Sequence, residues 1–87
     1  MAYTTEELDL VDGLIVTYLG RRRVGASLRE AYFRVHSHIL GNALDAEDLR
    51  RIRMVLNLLL PCFSGDRDSQ SRMIRALATT DRLLQAG

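Results

Sequence analysis

His36 and His38 are the two histidines of this chain, and Cys62 is its one cysteine. A helical metal pair places its ligands at i and i+4, as in the HExxH arrangement. Histidines at i and i+2 point to different sides of a helix, so these two do not form such a pair. A Cys–His nucleophile would need the fold to carry Cys62 to a histidine far from it in sequence. A plainer reading suits all three. Cys62 is expected as a small buried hydrophobe beside Pro61 and Phe63. His36, next to Tyr32 and Val35, is expected at the edge of the core. His38 is expected in solvent or paired with an acid, and either histidine would suit a pH-sensitive interface. The carboxylates Glu6, Glu7, Glu30, Asp45, Glu47 and Asp48 stand at helix starts, where free N–H groups and the helix dipole account for them. Gly20 to Gly25 lacks the spacing and the Lys-Ser/Thr end of a phosphate loop. The sequence therefore predicts no catalytic residue, no metal and no cofactor, and a protein that is not an enzyme.

Charge is the remaining source of chemistry. The chain has twelve arginines and no lysine among its 87 residues, against eleven acids, for a net charge of +1. Schiff-base and lysine-base chemistry is thereby excluded, while forked recognition of carboxylate or phosphate stays open. Genome base composition accounts for a preference of Arg over Lys. Placement is more telling than the total. Residues 1–20 hold Glu6, Glu7, Asp9 and Asp12 and no base, and residues 21–40 hold five arginines against Glu30. Arg21, Arg22, Arg23, Arg29 and Arg34 thus form a candidate contact patch. It would face the acids of the first helix, an acidic protein partner, or phosphate.

These groups must be held by helices. Thr4 with Glu7 fits a capping box, and Leu8, Val11, Leu14, Ile15, Tyr18 and Leu19 follow at helical spacing. Gly20 is expected to end that helix in the left-handed conformation, and Gly13 to mark a close helix contact. Val24 anchors the arginine loop. Ser27-Leu28-Arg29-Glu30 reads as a second capping box, leading to an inner stripe of Leu28, Ala31, Tyr32, Val35 and Ile39, with Phe33 and Leu40 on its flanks. Gly41 ends it. Asp45 with Asp48 opens a third helix, apolar at Leu49, Ile52, Val55, Leu56, Leu59 and Leu60 and extended by Met54 and Leu58. Arg51 is placed to pair with Asp48. Pro61 stops this helix, and Ser64-Gly65-Asp66 is a turn. The fourth helix carries Met73, Ile74, Leu77 and Leu84, interrupted by Thr80 and Asp81, with the stems of Arg72 and Arg75 covering the edge of its apolar stripe.

The pattern predicts an all-α fold: one domain over residues 1–87, a compact bundle of about four short helices at about 5–19, 28–40, 46–60 and 69–85. Short links favour antiparallel neighbours. The third helix is apolar over more than one face, so a dimer seam is expected at Leu56, Leu59, Leu60, Met73 and Leu77. One cysteine excludes an internal disulfide and a four-thiolate zinc site. No apolar run is long enough to span a membrane, and the acidic start lacks the basic region of a secretory signal. A cytoplasmic protein is expected.

Gly13-Leu14-Ile15-Val16-Thr17-Tyr18-Leu19, a glycine-containing link, a helix, and then Asp48, Arg51 or Arg53, and Leu56 resemble the small dimeric biofilm and acid-stress regulators of enterobacteria. The resemblance covers about half the chain and consists mainly of helical core spacing. The triple arginine and the fourth helix depart from it. It implies a small bacterial regulator that binds other proteins or DNA. The expected function is a non-enzymatic regulator or adaptor working through protein contacts as a homodimer. A nucleic-acid-binding regulator using the arginine loop and second helix is the alternative. In that alternative the acids that begin the third helix would repel DNA from it. A phage or secretion-system accessory or chaperone subunit is a further alternative, differing more in biology than in physics.

Overall fold

The computed structural model describes residues 2–21 and 23–86, without the side chain of Arg21. Among the described residues there are four α-helices and no strand: α1 (Thr5–Arg21), α2 (Ala26–Leu40), α3 (Ala46–Leu59) and α4 (Arg67–Ala86). A 3-10 turn, Leu60–Phe63, joins α3 to α4, with Pro61 in its first turn. None of the described helices is long and apolar enough to cross a membrane.

Two of the expected helix starts carry the expected chemistry. Thr4 N–H donates to Glu7 Oε1 at 2.8 Å and Glu7 N–H to Thr4 Oγ1 at 3.1 Å. Asp45 and Asp48 exchange the same pair of bonds at the start of α3. Such boxes satisfy donors that have no partner within the helix. The box expected at Ser27 does not form. The helix opens earlier, with Gly25 as its cap and no side chain bonding to it, and Ser27 lies inside α2. Helix α4 also opens earlier than expected. Asp66 caps it, accepting from Ser69 N–H at 3.1 Å and from Ser69 Oγ at 2.8 Å.

The helix ends differ from expectation in an informative way. Gly20 lies within α1, and no described glycine has a positive φ. The left-handed residue is Asn42, with φ 53°. Asn42 N–H reaches Ile39 O and Ala43 N–H reaches Ser37's neighbour His38 O, at 3.2 and 2.8 Å. That is the paired Schellman closure, with Asn in the place Gly usually takes. Gly13 marks no close contact either: a Cβ there would meet nothing within 4 Å.

Helices α1 and α3 pack on each other and on both remaining helices, whereas α2 and α4 do not touch among the described residues. The result is a flat arrangement of 32 × 32 × 19 Å. Its core joins Val11, Leu14, Ile15, Tyr18 and Leu19 to Tyr32 and Val35, to Ile52, Val55, Leu56 and Leu59, and to Met73 and Ala76. Tyr18 and Tyr32 meet edge to face, with ring centres 5.3 Å apart, a favoured aromatic geometry. Val24 packs against this core as expected. Thr80 is not an interruption of the α4 stripe but part of the interior. It is fully buried, donates to Ala76 O at 2.7 Å, and lies 2.5 Å from Tyr3 Oη. Its one hydrogen is used on Ala76, so the Tyr3 hydroxyl is the donor between them. Burial, with the nearby Glu7 and Asp81 charges, pushes the Tyr3 phenol up to about 12.

A helical Gly20 reverses the outcome expected of its substitution. Gly20→Ala should raise stability by about 0.5–1 kcal/mol, because Ala restricts the unfolded chain and meets no neighbour in the fold. Urea unfolding measures it, and a loss of stability would show that the position needs the left-handed conformation after all.

Candidate functional site

The two histidines point to different neighbours, as their spacing requires. His36 Nδ1 lies 2.5 Å from Asp12 Oδ1 on α1, and His38 Nδ1 lies 2.5 Å from Asp48 Oδ2 on α3. An ionised carboxylate only accepts, so Nδ1 carries the hydrogen in both pairs. Asp48 is 1% exposed. Besides His38 it accepts from Asp45 N–H at 3.0 Å.

Around this point the charges interlock. Arg34 reaches Asp45 at 2.7 Å and Glu47 at 3.2 Å. Arg51 pairs with Glu47 at 3.3 Å rather than with Asp48, whose carboxylate is turned inward. The Asp48 N–H, then further hydrogen bonding and the nearby Arg34 charge, hold the Asp45 carboxyl below the usual range, against some desolvation. Hydrogen bonds from Arg34 and Arg51 do the same for Glu47. His38, Asp45 and Asp48 offer three ligand atoms within 4.8 Å of one another. Those atoms already serve the capping box and the His38 bond, and the Arg34 guanidinium supplies the local positive charge. The cluster is accounted for as a tie between α2 and α3.

Cys62 is exposed, which corrects the expectation of a buried hydrophobe. The 3-10 turn that Pro61 forces turns residue 62 outward, and the hollow it borders contains no histidine.

The described arginines of the expected patch do not converge. Arg22 and the side chain of Arg21 lie outside the described residues, and Arg23 is exposed. Arg29 donates to Leu19 O at 3.2 Å, satisfying a carbonyl in the last turn of α1. Arg34 turns the other way, to the start of α3. Neither described arginine of α2 pairs with an acid of α1. Those acids meet other groups: Asp12 meets His36, and Glu7 meets Thr4 and Thr79.

The residues of the expected apolar seam belong to, or pack against, the core of the single chain. Leu56, Leu59 and Met73 are 1%, 8% and 1% exposed, within the core of the single chain. Leu60 and Leu77 are partly buried against it. Helices α1, α2 and α4 together cover the greasy side of α3. The large apolar side chains left outside are Val16, Phe33, Leu40, Met54, Leu58 and Ile74.

A feature that sequence reasoning missed lies along α1. A groove of about 880 Å³ runs between α1 and α4. Glu6, Glu7 and Asp9 line its α1 wall, and Arg72, Arg75 and Arg82 its α4 wall, with Leu10 and Ala78 between them. Asp9 and Leu10 also border a second hollow of about 660 Å³, which continues along α1 past Gly13, Thr17 and Tyr18 to Cys62 and Phe63. On the other flank of α1, Val16 and Phe33 border a smaller hollow of about 210 Å³. The acidity of the first helix was legible in the sequence. Its opposite wall was not, because Arg72 and Arg75 lie at the far end of the chain and on an ordinary exposed helix face.

Glu7 links the groove to stability. Partial burial pushes its carboxyl up, but hydrogen bonds from Thr4 and Thr79 and the Arg82 charge outweigh this and set it below 4.5. The Asp45, Glu47 and Asp66 carboxyls are lowered too. A lowered carboxylate contributes stability above its unfolded value, and that stability is lost as pH falls through the folded value. Urea unfolding should therefore show little change from pH 7 to about 5 and a decline below about 4. Glu7→Gln should lower stability at pH 7 and flatten the decline. An unchanged acid limb in this variant would remove Glu7 from the account.

Compared with protein-family models, with curated proteins and with solved structures, the chain matches none, so the likeness of residues 13–56 to the enterobacterial regulators adds no family to the account.

Proposed function

We propose that this chain is a small non-enzymatic interaction protein, a regulator or adaptor that works through protein–protein contacts and as a homodimer. One observation carries this reading. The histidines and the acids that begin α3 are occupied in tying helices together, while the outer side of α1 is left open. His36, His38, Asp45 and Asp48 all hold neighbours in place. By contrast Val16 and Phe33 are each more than half exposed and border a hollow on one flank of α1. Apolar side chains grouped beside open hollows suit a protein partner. A cytoplasmic setting fits an exposed free thiol, which an oxidising compartment would not leave unreacted.

The nucleic-acid reading rests on Arg21, Arg22, Arg23, Arg29 and Arg34. It has less support, because Arg29 and Arg34 turn to opposite neighbours and Arg34 is engaged by two carboxylates. Two measurements separate the readings. A tagged chain recovered from its native cell should retain a protein partner in a fixed ratio. Duplex DNA at low salt should not bind. DNA binding that weakens steeply with salt, and is lost in Arg23→Ala with Arg34→Ala, would overturn the proposal in favour of the alternative.

A further inference from the structure

The groove between α1 and α4 has walls of opposite charge that the chain itself leaves unmatched. Glu6 and Asp9 on one wall and Arg75 on the other form no ion pair among the described residues, and all three are exposed. Arg72 pairs with Asp68 on its own helix, at 3.2 Å and well exposed, where such a pair contributes little. Glu7 and Arg82 are drawn in toward Thr79 and do not bridge the opening.

The register across the groove is fixed by two contacts. Tyr3 meets Thr80 and Glu7 meets Thr79. Helices α1 and α4 therefore run antiparallel, and Asp9 stands within about a turn of the level of Arg75. A two-fold axis laid along the groove preserves these levels while exchanging its walls. It sets α1 of one copy over α4 of the other, Asp9 near the level of Arg75 with Arg72 one turn beyond and Glu6 toward Arg82, and repeats the contact by symmetry. An interface of this isologous kind needs a surface complementary to itself, and one acidic wall beside one basic wall meets that requirement. Leu10 and Phe63, partly buried along the floor, are enclosed in the same step.

We infer that the α1–α4 groove is the face through which two copies of this chain pair, acidic wall against basic wall. The inference rests on the interaction-protein reading and specifies where its dimer forms. It replaces the α3 seam, whose residues serve the core of the single chain. Cys62, on the continuation of the groove, becomes covered in the pair.

Charge reversal tests this on the full-length chain. The pair Glu6→Arg with Asp9→Arg makes both walls basic, and Arg72→Glu with Arg75→Glu makes both acidic. None of these four side chains is in the core, so circular dichroism should show unchanged helicity. In sedimentation velocity at low salt, the wild type should form dimers. Each variant alone should associate at least about tenfold more weakly, and the two variants mixed should form a heterodimer. In parallel, the reaction of Cys62 with a thiol reagent should slow as wild-type concentration rises and should not slow for either variant alone. If each variant alone dimerises as well as the wild type, this face is wrong, although a dimer of the proposed interaction protein stands. A wild type that stays monomeric at every concentration overturns the inference, while the adaptor reading is still judged by recovery of a partner from the cell.

Discussion

The Asp48 carboxylate is 1% exposed, and a charge taken that far from water must be met by hydrogen bonds. Two elements meet it. Asp45 N–H closes the capping box that starts α3, and His38 reaches it from α2. One oxygen, Oδ2, thereby fixes where α3 begins and how α2 is rotated against it. Helical geometry then does the rest. With His38 held toward α3, His36, two residues earlier, is carried to the opposite side of α2, where it meets Asp12 of α1. Helix α2 is thus tied to both of the helices it touches, and Arg34 and Arg29 add bonds on the same two sides.

Fastening α2 and α4 on opposite sides of the α1–α3 pair has a cost in coverage. Neither can fold over the outside of α1, so Gly13, Val16, Thr17 and Gly20 remain exposed along one face. The flatness of the molecule, 19 Å in its short dimension, and the open groove beside α1 follow from the same arrangement. His36, His38, Asp45 and Asp48 serve the architecture, and one face of α1 is left uncovered.

Much of the fold was legible because its signals are local. Thr4 with Glu7 and Asp45 with Asp48 each lie three residues apart, and both boxes form as their spacing implies. The apolar stripes of α1 and α3 face the core for the same reason. Ser27 misled because a capping box competes with the helix starting earlier, and Gly25 can cap α2 without a side chain. The glycine rule failed at Gly20 and the left-handed site fell to Asn42, which tolerates that conformation. What local reading could not supply was pairing at long range. The sequence placed five arginines directly after an acidic helix, and proximity along the chain suggested that they meet. The fold instead faces α1 with α4 and turns Arg34 to the start of α3. The apolar excess of α3 suggested a dimer seam for a related reason: nothing local shows that three other helices are enough to cover it.

Whether the His–Asp contacts are structural ties is measured by a double-mutant cycle on His38 and Asp48. Urea unfolding would be measured for the wild type, His38→Ala, Asp48→Ala and the double variant, with concentrations low enough to exclude association. Each single change should be destabilising and the two should not add, with a coupling of at least about 1 kcal/mol. Additive losses, within about 0.5 kcal/mol, would show that α2 and α3 do not depend on this contact.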